Sequence, residues 1–130
     1  MIGLDTNVLL RWLRRDAAAS AQSDLATRAV EGAGDIHVNL VALVEAVWVL
    51  GHVYKVRRAA LGRIVLTLLE HSRVSVERSD LVADVLPAYL SGNADLSDHL
   101  IGAINARAGC ATTLTFDKAA ARGDDFTLLT

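Results

Sequence analysis

The chain has one cysteine, one proline and only 5% aromatic residues. A lone Cys110 rules out an intramolecular disulfide and any cysteine-rich zinc or iron–sulfur site, as suits a reducing, cytoplasmic setting. The four histidines, His37, His52, His71 and His99, never form an HxH or HExxH pair, so a histidine-built metal site is not expected. Met1 to Asn7 shows no basic region ahead of an apolar stretch and no small-residue cleavage site, which argues against a secretory signal. The longest apolar run, Leu40 to Gly51, is interrupted by Glu45 and is too short to span a bilayer, so no membrane association is expected. Nor is there a surplus of one charge: 13 Lys and Arg against 15 Asp and Glu give a net −2, unlike a strongly basic nucleic-acid binder. Gly32-Ala33-Gly34 precedes a strand pattern instead of following one and is no phosphate loop, and no G-x-S-x-G or Cys/His constellation occurs.

What is present is a chain of 130 residues, 52% hydrophobic and 22% charged, without linker, repeat or low-complexity tract. That length and composition predict one self-folding domain over 1–130. Strand patterns fall at Ile2–Leu4, Ile36–Val38, Val74–Val76, Ala111–Phe116 and Phe126–Leu129. Helical spacing covers Asn7–Arg15, Ala17–Val30, Leu40–His52 after the N-cap candidate Asn39, and Arg57–His71. Ser79–Leu90 also reads as helix, with Pro87 expected to end or kink it, and Asp95–Ala108 is a further helix closed by Gly109. Strands and helices alternating at this rhythm predict an α/β fold with a short parallel sheet covered on both faces.

Four acids stand out. Asp5 and Asp117 each end a strand pattern, where the groups of an open parallel sheet face a ligand crevice. Glu45 is the only ionisable residue between Asn39 and Gly51, a costly place for a carboxylate if it is buried without a cation. Asp98 opens a helix whose expected apolar face is Leu100, Ile101, Ile104 and Ala108. Each has an ordinary alternative: Asp5 and Asp117 as turn or cap residues, Glu45 as an exposed position or an arginine's partner, Asp95 as N-cap with Asp98 a first-turn acid. If they converge, carboxylates about 4 Å apart repel by roughly 4 kcal/mol per pair at a moderate dielectric and need a counter-ion. Oxygen-only ligands suit Mg²⁺ or Mn²⁺, with phosphate oxygens and water completing the shell.

The segments Ile2-Gly3-Leu4-Asp5-Thr6-Asn7-Val8-Leu9, Val44-Glu45-Ala46-Val47-Trp48-Val49-Leu50, Ala94-Asp95-Leu96-Ser97-Asp98 and Thr115-Phe116-Asp117 resemble a PIN-domain ribonuclease, most closely the VapC toxins of bacterial type II toxin–antitoxin pairs. Order, spacing and total length agree across essentially the whole chain. The resemblance implies a three-layer α/β/α sandwich around a short central parallel sheet, and Mg²⁺- or Mn²⁺-dependent endonucleolytic hydrolysis of RNA by a metal-activated water. It implies Asp5, Glu45, Asp98 and Asp117 as metal-binding acids, with Thr6, Asn7 and Thr115 as their polar supports. Asp5 and Asp98 are assigned as direct ligands and Asp117 and Glu45 as water-mediated ligands or water-orienting base, a division that residue order does not fix. The implied partners are an RNA substrate, a VapB-type antitoxin that also carries any contact with operator DNA, and a second copy in a homodimer.

With the four acids set aside from the 15, 11 remain against 13 bases, so the rest of the chain is slightly positive. Arg11, Arg14 and Arg15, Lys55, Arg57 and Arg58, and Lys118 and Arg122 are candidate phosphate contacts or solvated faces, with Arg11 the foremost candidate for RNA or antitoxin. Other readings fit less well. A haloacid-dehalogenase-like phosphatase needs an acid where Asn7 stands. A receiver-like module without nuclease activity lacks a central strand-end aspartate, and a PIN fold kept only for binding would not require the full acidic set.

Overall fold

A strand that ends in a helix-capping residue recurs at the start of the chain and sets where its acids stand. The computed structural model describes residues 1–130 and divides into two units, Met1–Ser79 and Asp80–Thr130. In the first unit the order is β1 (Ile2–Gly3), α1 (Thr6–Leu13), a 3-10 turn (Ala17–Ala19), α2 (Ser20–Gly32), β2 (Ile36–Val38), α3 (Leu40–His52), α4 (Arg58–Glu70) and β3 (Val74–Val76). The strands pair in the order β1-β2-β3, all parallel, with Ile2 opposite Ile36 and Ile36 opposite Val74. Ile36 and Val38 on the central strand are fully buried, as are Leu9, Leu43, Leu50 and Val65 on the helices. α1 packs against α2 and α3, and α4 lies against β3.

Each strand of this sheet hands over to a polar residue at its carboxyl end. After β1, Asp5 Oδ1 accepts from the Val8 N–H at 3.0 Å and caps α1. After β2, Asn39 Oδ1 accepts from the Ala42 N–H at 2.8 Å and caps α3. After β3, Glu77 Oε1 accepts from the Leu40 N–H at 2.9 Å, so a second side chain satisfies the first turn of α3.

In the second unit α5 (starting at Ser79 and running to Ser91) and α6 (Leu96–Arg107) precede β4 (Thr113–Thr115), a 3-10 turn (Ala120–Arg122) and β5 (Phe126–Leu128), with β4 and β5 pairing in parallel. Leu81, Val82, Val85, Leu86 and Tyr89 form the buried stripe of α5. Arg107 on α6 bridges to Asp80 at 3.1 Å and to Asp84, both on α5. Asn105 Nδ2 donates to Thr113 Oγ1 at 3.0 Å, tying α6 to β4.

The mixed α/β class and the parallel pairing agree with the sequence; the differences are local. The strands hydrogen-bond as two short sheets, one per unit. Ala17–Ala19 forms a 3-10 turn ahead of α2 because Asp16 Oδ1 takes the Ala18 N–H at 2.9 Å, and Asp16 N–H goes to the buried Ser23 Oγ at 3.1 Å. α5 continues through Pro87 to Ser91: Pro87 and Ala83 lie on the exposed face, where water can satisfy the carbonyl that the proline leaves without a donor. On α6 the buried residues are Leu96, Leu100 and Gly102, whereas Ile101 and Ile104 of the expected apolar face are exposed. Gly109, with φ +97, closes α6 as expected.

Gly102 is buried because β5 needs the space: a Cβ there would lie 2.6 Å from Phe126 Cε2 and 3.1 Å from Asp125 Cβ. Gly102→Ala is therefore expected to lower stability by about 1–3 kcal/mol through overpacking, against the roughly 1 kcal/mol that helix propensity alone would add. A urea melt checks the sign, and a more stable alanine variant would mean that Phe126 rotates away freely.

Candidate active site

In the first unit the site begins with the Asp5 cap. Only Oδ1 of Asp5 is taken by the helix, and the residue stays exposed, so Oδ2 remains outside the cap. The next residue, Thr6, donates from Oγ1 to Glu45 Oε1 at 3.3 Å, joining the first turn of α1 to the middle of α3. That bond is longer than the usual O–H···O distance and acts as a light positional restraint. Glu45 lies on the outward face of α3, with Ala42, Leu43, Ala46, Val47 and Leu50 turned inward. The buried apolar residues thus occupy the other side of the helix, while Val41 and Trp48 share the exposed face with Glu45.

In the second unit Asp98 sits in the first turn of α6 and Asp117 follows β4. Asp98 is partly buried, and burial pushes its carboxyl above the ordinary aspartate range; the charges of Asp95 and Asp117 add to the rise, while a backbone hydrogen bond at Asp95 and the charge of His99 oppose it. Asp117 Oδ1 accepts from the Ala119 N–H at 2.8 Å and the Ala120 N–H at 3.4 Å, opening the 3-10 turn. Asp95 occupies the N-cap position of α6, but its carboxylate makes no capping bond; its backbone carbonyl takes the Asp98 and His99 N–H groups at 3.0 and 3.3 Å.

The expected polar supports divide. Thr6 touches a carboxylate, that of Glu45. Thr115 does not: its Oγ1 accepts from the Asp117 N–H at 3.0 Å, a local turn bond that orients the backbone of Asp117. Asn7 is exposed and, with Val8, Arg11, Gln22, Leu25, Ala26 and Ala29, lines a groove of about 240 Å³ between α1 and α2.

Arg11, the foremost candidate for an external contact, is committed within the fold. Its Nε donates to Gln22 Oε1 at 2.9 Å and its Nη1 to Tyr54 Oη at 3.3 Å, and Asp16 Oδ2 lies 3.6 Å away. Tyr54 Oη donates to Asp16 Oδ2 at 3.1 Å, Arg14 stacks over the Tyr54 ring at 5.1 Å, and Arg15 pairs with Asp24. Arg11 on α1 and Arg14 and Arg15 just beyond it therefore fasten this part of the chain to α2 and to the loop after α3. Glu77, which steadies the start of the helix bearing Glu45, was missed in the sequence; the signal was there, since it follows a strand pattern as Asp5 does.

The acids thus come two to a unit, and no three His, Cys, Asp or Glu side chains gather closely enough to hold a metal ion on their own. Their donor set fits a hard divalent cation: all oxygen, largely exposed, with Asp98 carrying burial and repulsion that a nearby cation would relieve. Mg²⁺ commonly takes one or two carboxylates and leaves the remaining positions to water and phosphate. Without a cation, a carboxyl held above its unfolded value contributes stability that is full below the ordinary aspartate pKa and lost as pH rises through the raised one. Asp98→Asn is accordingly expected to raise the melting temperature of the metal-free chain at pH 7 by about 1–3 °C after allowance for solvent screening, with the gain vanishing below about pH 4. A lower melting temperature for the variant at pH 7 would contradict this reading.

No helix is long and apolar enough to cross a membrane. Comparison with curated proteins gives no match. A family model described as PIN domain, by contrast, matches residues 2–125, a span that takes in both units and all four acids. The chain belongs to the PIN-domain family, whose members are in general metal-dependent nucleases that hydrolyse phosphodiester bonds.

Proposed function

We propose that the protein is a Mg²⁺- or Mn²⁺-dependent endoribonuclease of the VapC type, with Asp5 and Glu45 from the first unit and Asp98 and Asp117 from the second serving one reaction. On this reading residues 1–130 work as a single PIN domain. The observation that carries it is the capped Asp5 beside the Thr6–Glu45 contact: one carboxylate fixed by its helix and a second held by the adjacent hydroxyl, both open to solvent. The elevated Asp98 carboxyl, pressed by burial and by Asp117, supports a cation-binding role for the second unit.

A bound divalent cation supplies a lowered pKa for water and neutralises charge developing on phosphate. The chain's own residues supply placement. Asp5 and Asp98 offer direct oxygen ligands. Glu45 and Asp117 would accept hydrogen bonds from the attacking water and orient it. Thr6 restrains Glu45 through Oγ1, and Glu77 and Asn39 fix the first turn of the helix on which Glu45 rides. A VapB-type antitoxin, a homodimer and a cytoplasmic location complete the proposal; they rest on the likeness of the four acidic segments to VapC toxins.

Purified protein should cleave single-stranded RNA with Mg²⁺ or Mn²⁺ and stop on addition of EDTA. Asp5→Asn should reduce cleavage by at least about a hundredfold while keeping the fold, because asparagine caps a helix as well as aspartate does. Cleavage that survives both EDTA and Asp5→Asn would refute the proposal.

A further inference from the structure

α3 turns a second kind of side chain outward along with Glu45. Val41, Glu45, Trp48 and His52 are spaced by three and four residues and share one face of the helix. Trp48 is 49% exposed, unusual for the largest apolar side chain. Its indole stacks on the His52 ring, with centroids 4.5 Å apart and planes at 13°, and His52 Nδ1 lies 3.0 Å from the Trp48 carbonyl oxygen. The imidazole is thus held against its own helix and stiffens the indole. The other large rings are occupied differently: Tyr89 is buried, Tyr54 is bound to Asp16 and Arg11, and Trp12 meets His71 edge-on. Phe116 is more exposed, but it has no stacked partner.

Cations follow this helix in the chain. Trp48 stands about one helical turn beyond Glu45, and His52 about one further turn. Directly after α3 come the exposed Lys55 and Arg57, with Lys55 at φ 58 turning the chain sharply toward α4. Acid and flat ring therefore share one exposed face of α3, and two exposed cations follow that helix in the chain. That order matches single-stranded nucleic acid, in which a reacting phosphate, a base with a π-face and further phosphates recur at similar spacing.

We propose that the Trp48–His52 stack is a base-stacking platform for single-stranded RNA, on which a nucleobase next to the reacting phosphate rests while Lys55 and Arg57 meet backbone phosphates. This rests on the nuclease reading and adds to it a subsite that tolerates any base, since stacking reads a π-face and not a hydrogen-bonding edge. A variant carrying Asp5→Asn, which does not cleave, should bind fluorescein-labelled oligouridylate more tightly than an abasic strand of equal length and charge, as read by anisotropy. Adding Trp48→Leu should weaken oligouridylate binding by about tenfold and erase the base preference, while Trp48→Phe should retain most of it. Leucine is a good helix former at this half-exposed position, and a thermal melt verifies that the fold persists.

Equal binding of oligouridylate and the abasic strand overturns the platform. So does a Trp48→Leu variant that converts a dimer to a monomer and leaves base preference intact, because the face would then belong to a second copy. Failure of the unaltered chain to cleave RNA removes the nuclease reading and the platform together, whereas cleavage without base preference removes the platform alone.

Discussion

The hydrogen bond from the Val8 N–H to Asp5 Oδ1 fixes a carboxylate at the point where a short edge strand gives way to a helix. One oxygen satisfies an orphan donor of α1 and the other lies outside the cap on an exposed residue, so the side chain that starts the helix is also open to a ligand. The neighbouring Thr6 then falls within reach of Glu45 on α3, and α3 is placed in turn by Asn39 and Glu77. A parallel sheet makes this arrangement economical, because every strand delivers its last residue to the same edge and every following helix opens with unsatisfied N–H groups there.

The second unit reaches a similar end under more electrostatic strain. Asp117 is held by two backbone N–H groups, and Asp98 is kept partly out of water beside two like charges. A carboxyl in that position opposes folding when ionised, a cost that a bound cation would offset. The arginines in and just after α1 show the opposite priority. Arg11, Arg14 and Arg15 are spent on Gln22, Tyr54, Asp16 and Asp24 and secure the scaffold behind Asp5.

Much of this was legible in the residues, and the exceptions have physical causes. Asn39 announced α3, and Val74–Val76 was bounded correctly, because a capping side chain before an apolar period and a short alternating run are local signals. Asp5 and Asp117 were legible both as strand-end acids and as cap or turn residues, and they are both at once. Glu45 misled through its neighbours: apolar composition alone does not say which side of a helix is wet, and only the packing of Leu43 and Leu50 settles it. Ile101 and Ile104 failed for the same reason, since the burial of Gly102 against Phe126 rotates the inward face of α6. A role that depends on a distant partner, such as Arg11 with Tyr54, was not legible, because the two residues are 43 positions apart.

Asp5 and Asp98 belong to different units of the chain, and the proposed reaction requires one divalent ion to draw on both. Mn²⁺ binding, followed by electron paramagnetic resonance of the free ion, reads this directly and without any nucleic acid. The account predicts that Asp5→Asn and Asp98→Asn each weaken Mn²⁺ binding at least about tenfold, although they alter different units of the chain. Mn²⁺ affinity left unchanged by both substitutions in folded protein would contradict it.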